Sequence, residues 1–314
     1  MLLATLSKSI MAPYIVSINN QSNIKQAYAI FAAAPVIKRN GASTVDVVTR
    51  IITSVRGVAS PQGQASFMLS KKLFATCGVY DVEADPSPQN QNRKRIGTGI
   101  EVVDQRPVDL GCLDERGRLV PGTTLQIECS GGTPAFTKEE ITPSGASGCF
   151  SILTGRDFSV KEARHSEMLH PPPPLPLLRP LLVVPTLLRP IFYPYQYVVG
   201  FCSSMRQNIG PYATFVPEPG QEYQIAPSKI FYVVVGEFNP YDLTSPTLKG
   251  SQSTCKVDFG TLGTDQVTLT HNDTGGLIRM RVPGEEGTSP VNFDVSGSSA
   301  PADLGSNATA TRSN

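Results

Sequence analysis

The three histidines of the chain, His165, His170 and His271, come first because imidazole carries much of the acid–base chemistry of enzymes. Two of them lie in a segment rich in proline and leucine, and His271 stands in a predicted turn, where we expect it to be solvated. Catalysis by an activated serine or cysteine needs an imidazole beside the nucleophile. A histidine-ligated zinc or iron site needs two or three imidazoles. The sequence therefore argues against both kinds of site.

Carboxylates are the second group that could do chemistry. Asp81, Glu83 and Asp85 would share one face of an extended strand, where they could bind a hard cation such as calcium. A solvated strand end before Pro86 accounts for the same residues, and we prefer that interpretation. No metal site is therefore predicted.

Glycine motifs give no indication of a nucleotide cofactor. The pair in Gly97-Thr98-Gly99 is followed neither by a third glycine nor by a helical pattern, as dinucleotide binding requires. No glycine-rich run ends in Gly-Lys-Ser or Gly-Lys-Thr. We predict no cofactor.

A ligand surface built from tyrosines and one carboxylate is the remaining chemical hypothesis. Tyr28, Tyr212, Tyr223 and Tyr232 lie in or beside predicted strands, and Glu218 stands between two prolines that would make its turn rigid. These five residues are weak candidates for binding a small molecule. The alternative is that the tyrosines lie at the edge of the core with their hydroxyls in contact with water or backbone. The chain lacks tryptophan, which counts against a typical sugar-stacking lectin.

The elements that would position these residues are strands. Short apolar or alternating runs bounded by turn residues predict antiparallel strands, and 27 glycines with 27 prolines leave little room for long helices. Residues 230–236 form the strongest buried strand candidate. Residues 266–270 and 277–280 form a hairpin candidate. Residues 45–58 could form either one long strand or a short helix, and their periodicity does not decide between the two.

The strand pattern predicts one all-β domain over residues 13–280, an antiparallel β-sandwich of two sheets. We predict a disordered extension over residues 1–12 and a disordered tail over residues 281–314, where Gly, Ser, Ala and Asn dominate.

Residues 164–196 fit no strand pattern and contain four consecutive prolines and two Leu-Leu-Arg-Pro repeats. Their proline-free apolar runs are too short to span a bilayer. A polyproline docking segment is one interpretation. We prefer an unstructured insertion or a translated intron, because its removal would join residues 158–160 to the strand-like run 197–201.

Net charge and cysteine spacing limit which partners and which cellular compartment the sequence favours. The net charge is +1, so no overall field attracts nucleic acid or anionic lipid. The amino terminus lacks an apolar stretch of secretory length, which predicts a cytoplasmic protein. Six dispersed cysteines fit neither a zinc knuckle nor a redox dithiol, and reduced thiols are preferred over three disulfides. The oligomeric state stays open.

Two stretches of the chain carry a resemblance to other sequences. The first contains Ile18-Asn19-Asn20-Gln21-Ser22, Tyr28-Ala29-Ile30-Phe31 and Pro35. The second contains Ala213-Thr214-Phe215-Val216-Pro217-Glu218-Pro219, Tyr223-Gln224-Ile225 and Phe231-Tyr232-Val233. Together they resemble uncharacterised β-rich proteins of filamentous fungi, over most of residues 11–280 apart from the segment after Val160. The resemblance implies a β-rich fold and no particular activity.

We therefore expect a non-catalytic binding or accessory protein of the fungal cytoplasm, acting on an unknown ligand. The alternative is a cofactor-independent accessory enzyme, a cyclase or isomerase of secondary-metabolite biosynthesis, that shapes a reactive intermediate in an apolar cavity. A deep apolar pocket lined by tyrosines and one carboxylate would favour the enzyme, and a shallow surface groove would favour the binder. A membrane-active protein is disfavoured.

Overall fold

Strands dominate the computed structural model, which describes residues 12–41, 43–81, 100–130, 133–164, 166–168, 193–203, 211–273 and 276–279. Twenty-two strands and two short helices lie in these residues. In chain order they are β1 (Tyr14–Asn20), β2 (Gln26–Ala32), β3 (Val36–Arg39), β4 (Ser43–Thr44), β5 (Val48–Thr49), β6 (Ile51–Val58), β7 (Gly63–Leu69), β8 (Leu73–Asp81), β9 (Ile100–Val108), β10 (Cys112–Leu113), β11 (Leu119–Val120), β12 (Thr124–Ser130), β13 (Thr133–Phe136), β14 (Phe150–Thr154), α1 (Val160–Arg164), β15 (Ser166–Met168), β16 (Tyr193–Cys202), β17 (Ala213–Phe215), β18 (Glu222–Ala226), β19 (Ile230–Val235), α2 (Pro246–Lys249), β20 (Thr254–Asp258), β21 (Gln266–His271) and β22 (Leu277–Arg279).

The strands form four main sheets and one two-stranded ribbon. Sheet I has the order β22-β21-β1-β7, and sheet II has the order β20-β19-β2-β6. Sheet III has the order β13-β12-β14-β18-β3-β4, and sheet IV has the order β5-β17-β16-β8-β9 with β15 beside β16. The ribbon consists of β10 and β11. Neighbouring strands are antiparallel except in the pairs β1–β21 and β12–β14, which are parallel.

The sheets face one another in two pairs. Between sheets I and II, the rings of Tyr14 and Phe231 lie 6.0 Å apart. Between sheets III and IV, Phe150 meets Phe201 at 6.1 Å and Phe215 meets Tyr223 at 4.8 Å. Ring pairs at these distances are characteristic of interdigitated inner faces. Each pair is therefore a sandwich.

The two sandwiches share one core because consecutive strands cross between them. β2 leads into β3 and so from sheet II to sheet III, while β7 leads into β8 and so from sheet I to sheet IV. One hydrophobic cluster contains buried side chains from all four sheets. Because the chain crosses repeatedly between the two sandwiches, their strands form one hydrophobic core.

The predicted all-β class and antiparallel sandwich are confirmed, with one difference. Four sheets in two facing pairs replace the two sheets that we expected, because successive short runs alternate between sandwiches and a run does not encode which sheet it joins. Residues 45–58 contain strands β5 and β6 and no helix. The predicted hairpin near the C-terminal end is confirmed as β21 and β22.

Several sequence predictions fall wholly or partly outside the described residues. These are the extension over residues 1–12, of which only Ala12 is described, the tail 281–314, residues 82–85 of the acidic run, the Gly97-Thr98-Gly99 pair, and His165 and His170. Of the segment 164–196, Arg164 ends α1, while residues 166–168 and 193–196 lie in paired strands. In the described part of the chain, no helix is long and apolar enough to cross a membrane.

Candidate ligand-binding surface

Strand β18 carries the predicted site residue Tyr223, follows the turn that contains Glu218, and is the centre of the candidate surface. Its burial alternates, with Tyr223 and Ile225 buried and Glu222 and Gln224 on the opposite face. This alternation follows from the two-residue period of a strand with one face on the core. β18 lies inside sheet III, between β14 and β3, so both of its edges are paired. Its outward side chains therefore stand on a rigid support.

Glu218 and Tyr223 meet at the N-terminal end of β18. The Tyr223 side chain is 1% exposed, and its hydroxyl accepts a hydrogen bond from the Glu218 N–H at 2.7 Å. The Glu218 carboxylate forms an ion pair with Arg39 of β3, and both side chains are about one-third exposed, at 34% and 32%. Burial raises the pKa of Tyr223, and the Glu218 hydrogen bond opposes that shift. Tyr223 thus anchors the turn before its own strand, as in the tyrosine corner of other sandwiches.

Main-chain contacts fix the Glu218 turn. The Thr154 hydroxyl donates to the Glu218 carbonyl at 2.7 Å and accepts from the Gln221 N–H at 2.8 Å. The Gly220 N–H donates to the Gly155 carbonyl at 2.8 Å. Gly220 has φ +65°, in the left-handed region that glycine adopts without strain. The rigid turn expected from the two prolines is thus also tied to β14.

Glu222 is the centre of a second polar group, the Glu222 network, which consists of Glu222, Gln224, Ser144, Ser151 and Thr124. The Glu222 Oε1 atom accepts from Gln224 Nε2 at 2.8 Å, Ser151 Oγ at 3.1 Å and Ser144 Oγ at 3.2 Å. The Thr124 hydroxyl accepts from the Ser144 N–H at 2.7 Å. Within the described part of the chain, the second carboxylate oxygen, Oε2, accepts no hydrogen bond. The network therefore holds one oxygen of a half-buried carboxylate and leaves the other available.

A row of polar side chains crosses sheet III through this network. Lys38 lies opposite Gln224, Gln224 opposite Ser151, and Ser151 beside Thr124. Lys38 is exposed, whereas Ser151 and Thr124 are buried. Lys38 is diagonal to Glu222, at a spacing of about 7–8 Å for such cross-strand neighbours. An ammonium group and a carboxylate therefore stand on the same face of the sheet.

The buried Ser151 hydroxyl cannot act as a surface nucleophile. It is 0% exposed and donates to the Glu222 carboxylate. This hydrogen bond orients the Glu222 carboxylate. It also keeps the serine oxygen away from solvent, where a nucleophile would have to reach its substrate.

The Gln224 amide already donates through Nε2 to Glu222 and Ser144 and accepts through Oε1 from the Ala146 N–H. What the arrangement offers a ligand is therefore the second Glu222 oxygen as an acceptor and the Lys38 ammonium group as a donor.

None of the five predicted site residues belongs to the Glu222 network, and three of them lie away from β18. Tyr28 is 0% exposed between sheets I and II, Tyr212 is buried against the ring of Phe201 at 4.9 Å, and Tyr232 stacks on Phe31 at 5.1 Å. Burial raises the pKa of Tyr28 to about 12 and also raises the pKa of Tyr212. Of the five predicted residues, the structure brings together Glu218 and Tyr223.

The expectation of a solvated turn histidine was wrong. His271 ends β21, is 1% exposed, and its Nδ1 atom lies 2.9 Å from the Tyr28 hydroxyl. The burial follows from the parallel pairing of β21 with β1, which places His271 beside the buried Asn20. The imidazole and the tyrosine hydroxyl form a polar pair inside the first sandwich, and buried polar groups need such partners.

The six cysteines are free thiols, three of them buried. Burial is the main cause that raises the pKa of Cys77, of Cys149, and of Cys129, the last to about 12. The charges of Asp157 and Glu162 add to the shift at Cys129. A raised thiol pKa lowers the fraction of reactive thiolate. These three cysteines are therefore poor nucleophiles.

Sequence reasoning missed Lys38, Glu222 and Gln224 as surface residues. The alternation of polar and apolar residues in β18 was a signal for the last two, and only the strand register adds Lys38. Among the described residues, no group of three or more His, Cys, Asp or Glu side chains could hold a metal ion. Comparisons with protein-family models, with curated proteins and with solved structures find no match to this chain.

Proposed function

We propose that this chain is a non-catalytic binding protein that holds a small, neutral, hydroxyl-bearing molecule on the outer face of sheet III. The observation that carries the proposal is the Glu222 carboxylate, held through Oε1 by three donors while Oε2 lacks a partner among the described residues. A polar group fixed before the ligand arrives loses less conformational entropy on binding.

The chemistry of the surface favours a neutral ligand. A hydroxyl group both donates and accepts, so neighbouring hydroxyls of one molecule can donate to Glu222 Oε2 and accept from the Lys38 ammonium group. A ligand with a strong net charge would meet a like charge at Glu222 or at Lys38. The binding is by hydrogen bonds, so it does not depend on the tryptophan that sugar-stacking proteins use.

We propose an accessory role in the cytoplasm, in line with the resemblance to fungal sequences. The six free thiols support a reducing compartment, because oxidising compartments favour disulfides. The fungal source and the metabolic setting rest on the sequence resemblance alone.

The alternative of a cyclase or isomerase has no specific observation in its favour. It called for tyrosines and a lone carboxylate around an apolar cavity. Tyr28, Tyr212 and Tyr223 are instead packed in the core, and Glu218 is paired with Arg39. The enzyme stays a hypothesis from the sequence.

Saturation-transfer NMR with glycerol, myo-inositol, glucose and N-acetylglucosamine tests the binding function. We expect at least one compound to receive saturation from the wild type, and Glu222→Ala to weaken its binding about tenfold, since a hydrogen bond to a charged group contributes about 1.5–3 kcal/mol. Lys38→Ala should also weaken binding and leaves the Glu222 network intact.

Glu101→Ala is the matched control, because Glu101 is an exposed glutamate on β9, outside sheet III. It should bind like the wild type, and thermal unfolding should show that all variants are folded. If no compound of the panel receives saturation, or if Glu222→Ala and Lys38→Ala bind as tightly as the wild type, the proposed surface is wrong.

A further inference from the structure

Strand β7 is an edge strand of sheet I with unusually few features that would prevent pairing. It runs for seven residues beside β1 with an unbroken antiparallel register from Gly63 to Leu69. No described strand lies on its other side. A regular strand in this position presents a row of backbone N–H and C=O groups that can pair with another strand.

The other long edge strands carry protective features that β7 lacks. β6 contains the exposed Arg56 and two shifts of its register with β2. β9 contains Pro107 and a register shift opposite Gly78. β13 contains Pro134, and β20 carries the exposed Lys256 in mid-strand. Prolines, bulges and charged side chains are the usual means by which sheet edges avoid pairing. The β7 sequence Gly-Gln-Ala-Ser-Phe-Met-Leu has none of them.

The surface beside this edge carries no ionisable side chain on three strands. Alternate residues of β7, β1 and β21 are buried, and the register places their other side chains in three rows on the outer face. These outer residues are Gln64, Ser66, Met68, Ile15, Ser17, Asn19, Gln266, Thr268 and Thr270. Met68 is 72% exposed at the edge itself. Exposed surfaces usually mix charges of both signs, so another strand can approach this edge without meeting a like charge on these three strands.

We propose that two copies of the chain pair through β7, antiparallel about a two-fold axis at Ser66, so that the four strands of sheet I continue into the four of a second copy. The two-fold axis places Ser66 opposite itself and Gln64 opposite Met68. No residue from 59 to 70 is ionisable, so no like charges meet along this contact. A self-paired strand is the isologous interface that most homodimers use.

A second copy is the partner that the edge fits best. Main-chain hydrogen bonds from β7 to its twin satisfy edge groups on both copies at once, and the exposed Met68 side chain is covered against the partner strand. An extended peptide of a different protein would satisfy the edge groups of one copy only.

Light scattering coupled to size exclusion over a concentration series tests the proposal on the full chain. We expect a dimer for the wild type. Ser66→Lys places two ammonium groups opposite each other at the axis and should weaken self-association about tenfold or more, because like charges in contact cost several kcal/mol.

Gln266→Lys is the matched control, since Gln266 is exposed on the same face but on β21, away from the edge. It should remain a dimer. A monomeric wild type at every concentration, or equal dissociation of both lysine variants, would show that β7 does not form the interface.

Amide hydrogen exchange of the wild type gives a second measurement that needs no variant. The amides of β7 that point away from β1 should exchange more slowly at high protein concentration than at low concentration. Exchange of these amides that does not change with concentration would overturn the proposal.

Discussion

Tyr223 and Tyr232 lie on consecutive strands, β18 and β19, and differ in whether the hydroxyl makes a hydrogen bond. The Tyr223 hydroxyl accepts from the Glu218 N–H, whereas the Tyr232 hydroxyl makes no hydrogen bond within the described residues, and its ring stacks on Phe31. Both were predicted to contact a ligand. The geometry instead gives Tyr223 a structural role at the end of β18, because its ring is buried and its only polar atom is used.

The substitution Tyr223→Phe tests that role. It leaves the Glu218 N–H without its acceptor, so we expect the free energy of unfolding to fall by about 1–2 kcal/mol in urea titrations. Binding at Glu222 and Lys38 should be retained, because the ring and strand stay in place.

Tyr232→Phe is the matched control, because it also removes a phenolic oxygen, but one that makes no hydrogen bond within the described residues. It should change the free energy of unfolding by less than about 0.5 kcal/mol. Equal destabilisation by the two substitutions would contradict the structural role of the Tyr223 hydroxyl.

Strands β8 and β9 show how one glycine permits an irregular pairing. The register shifts between Cys77 and Gly78, so that Cys77 lies opposite Asp104 and Gly78 opposite Val102. A Cβ atom on Gly78 would lie 2.0 Å from the Glu101 carbonyl oxygen. Asp104, placed by this shift, accepts a hydrogen bond from the Phe136 N–H at 3.3 Å and so links sheets III and IV.

Gly78→Ala should push β9 away from β8. We expect a loss of about 1–3 kcal/mol in the free energy of unfolding, the usual range for forcing atoms into a filled space. Chemical denaturation measures it.

Gly250→Ala is the control at this scale, because its nearest non-neighbouring atom would lie 4.0 Å from the new Cβ and its φ is −94°. A Gly78→Ala variant as stable as Gly250→Ala would mean that the β8–β9 pairing is not as close as the structure has it.

At the scale of the whole molecule, the connection between β15 and β16 can be tested by shortening it. Met168 at the end of β15 lies directly opposite Tyr193 at the start of β16. Residues 169–192 thus join two positions that a two-residue hairpin turn also joins. The strand pairing on either side does not require the length of this connection.

Replacing residues 169–192 by Asn-Gly should therefore give a folded chain with a thermal midpoint no lower than that of the natural one, since a shorter loop loses less entropy on closure. Differential scanning calorimetry measures the midpoint.

Deleting the whole predicted insertion, residues 164–196, is the informative comparison. It also removes β15 and the pairing of Tyr195 and Gln196 with β8, so it should lower the midpoint. If the Asn-Gly variant fails to fold, residues 169–192 are needed by the fold and the insertion hypothesis is wrong.

The sequence by itself determined most of the strands, although it left residues 45–58 open between strand and helix and showed no strand pattern for residues 166–168 and 193–196. The apolar run of β19 and the β21–β22 hairpin were predictable because alternation and turn residues act within a few neighbouring positions. The scarcity of long helices followed from glycine and proline for the same local reason. Of the five predicted site residues, Glu218 and Tyr223 meet across one turn because they are five residues apart, but neither belongs to the proposed surface at Glu222 and Lys38.

Only the tertiary structure decided which strands are neighbours. Tyr28 of sheet II and His271 of sheet I are 243 positions apart and share a hydrogen bond because the two sheets face each other. Lys38, Glu222 and Ser151 likewise meet through the order of sheet III. Long-range pairing depends on the packing of all the strands together, because the entropy lost in closing each long loop is recovered only through collective burial. Short-range patterns therefore predicted most strands and the Glu218 turn. The binding surface and the burial of His271 could be found only from the assembled sheets.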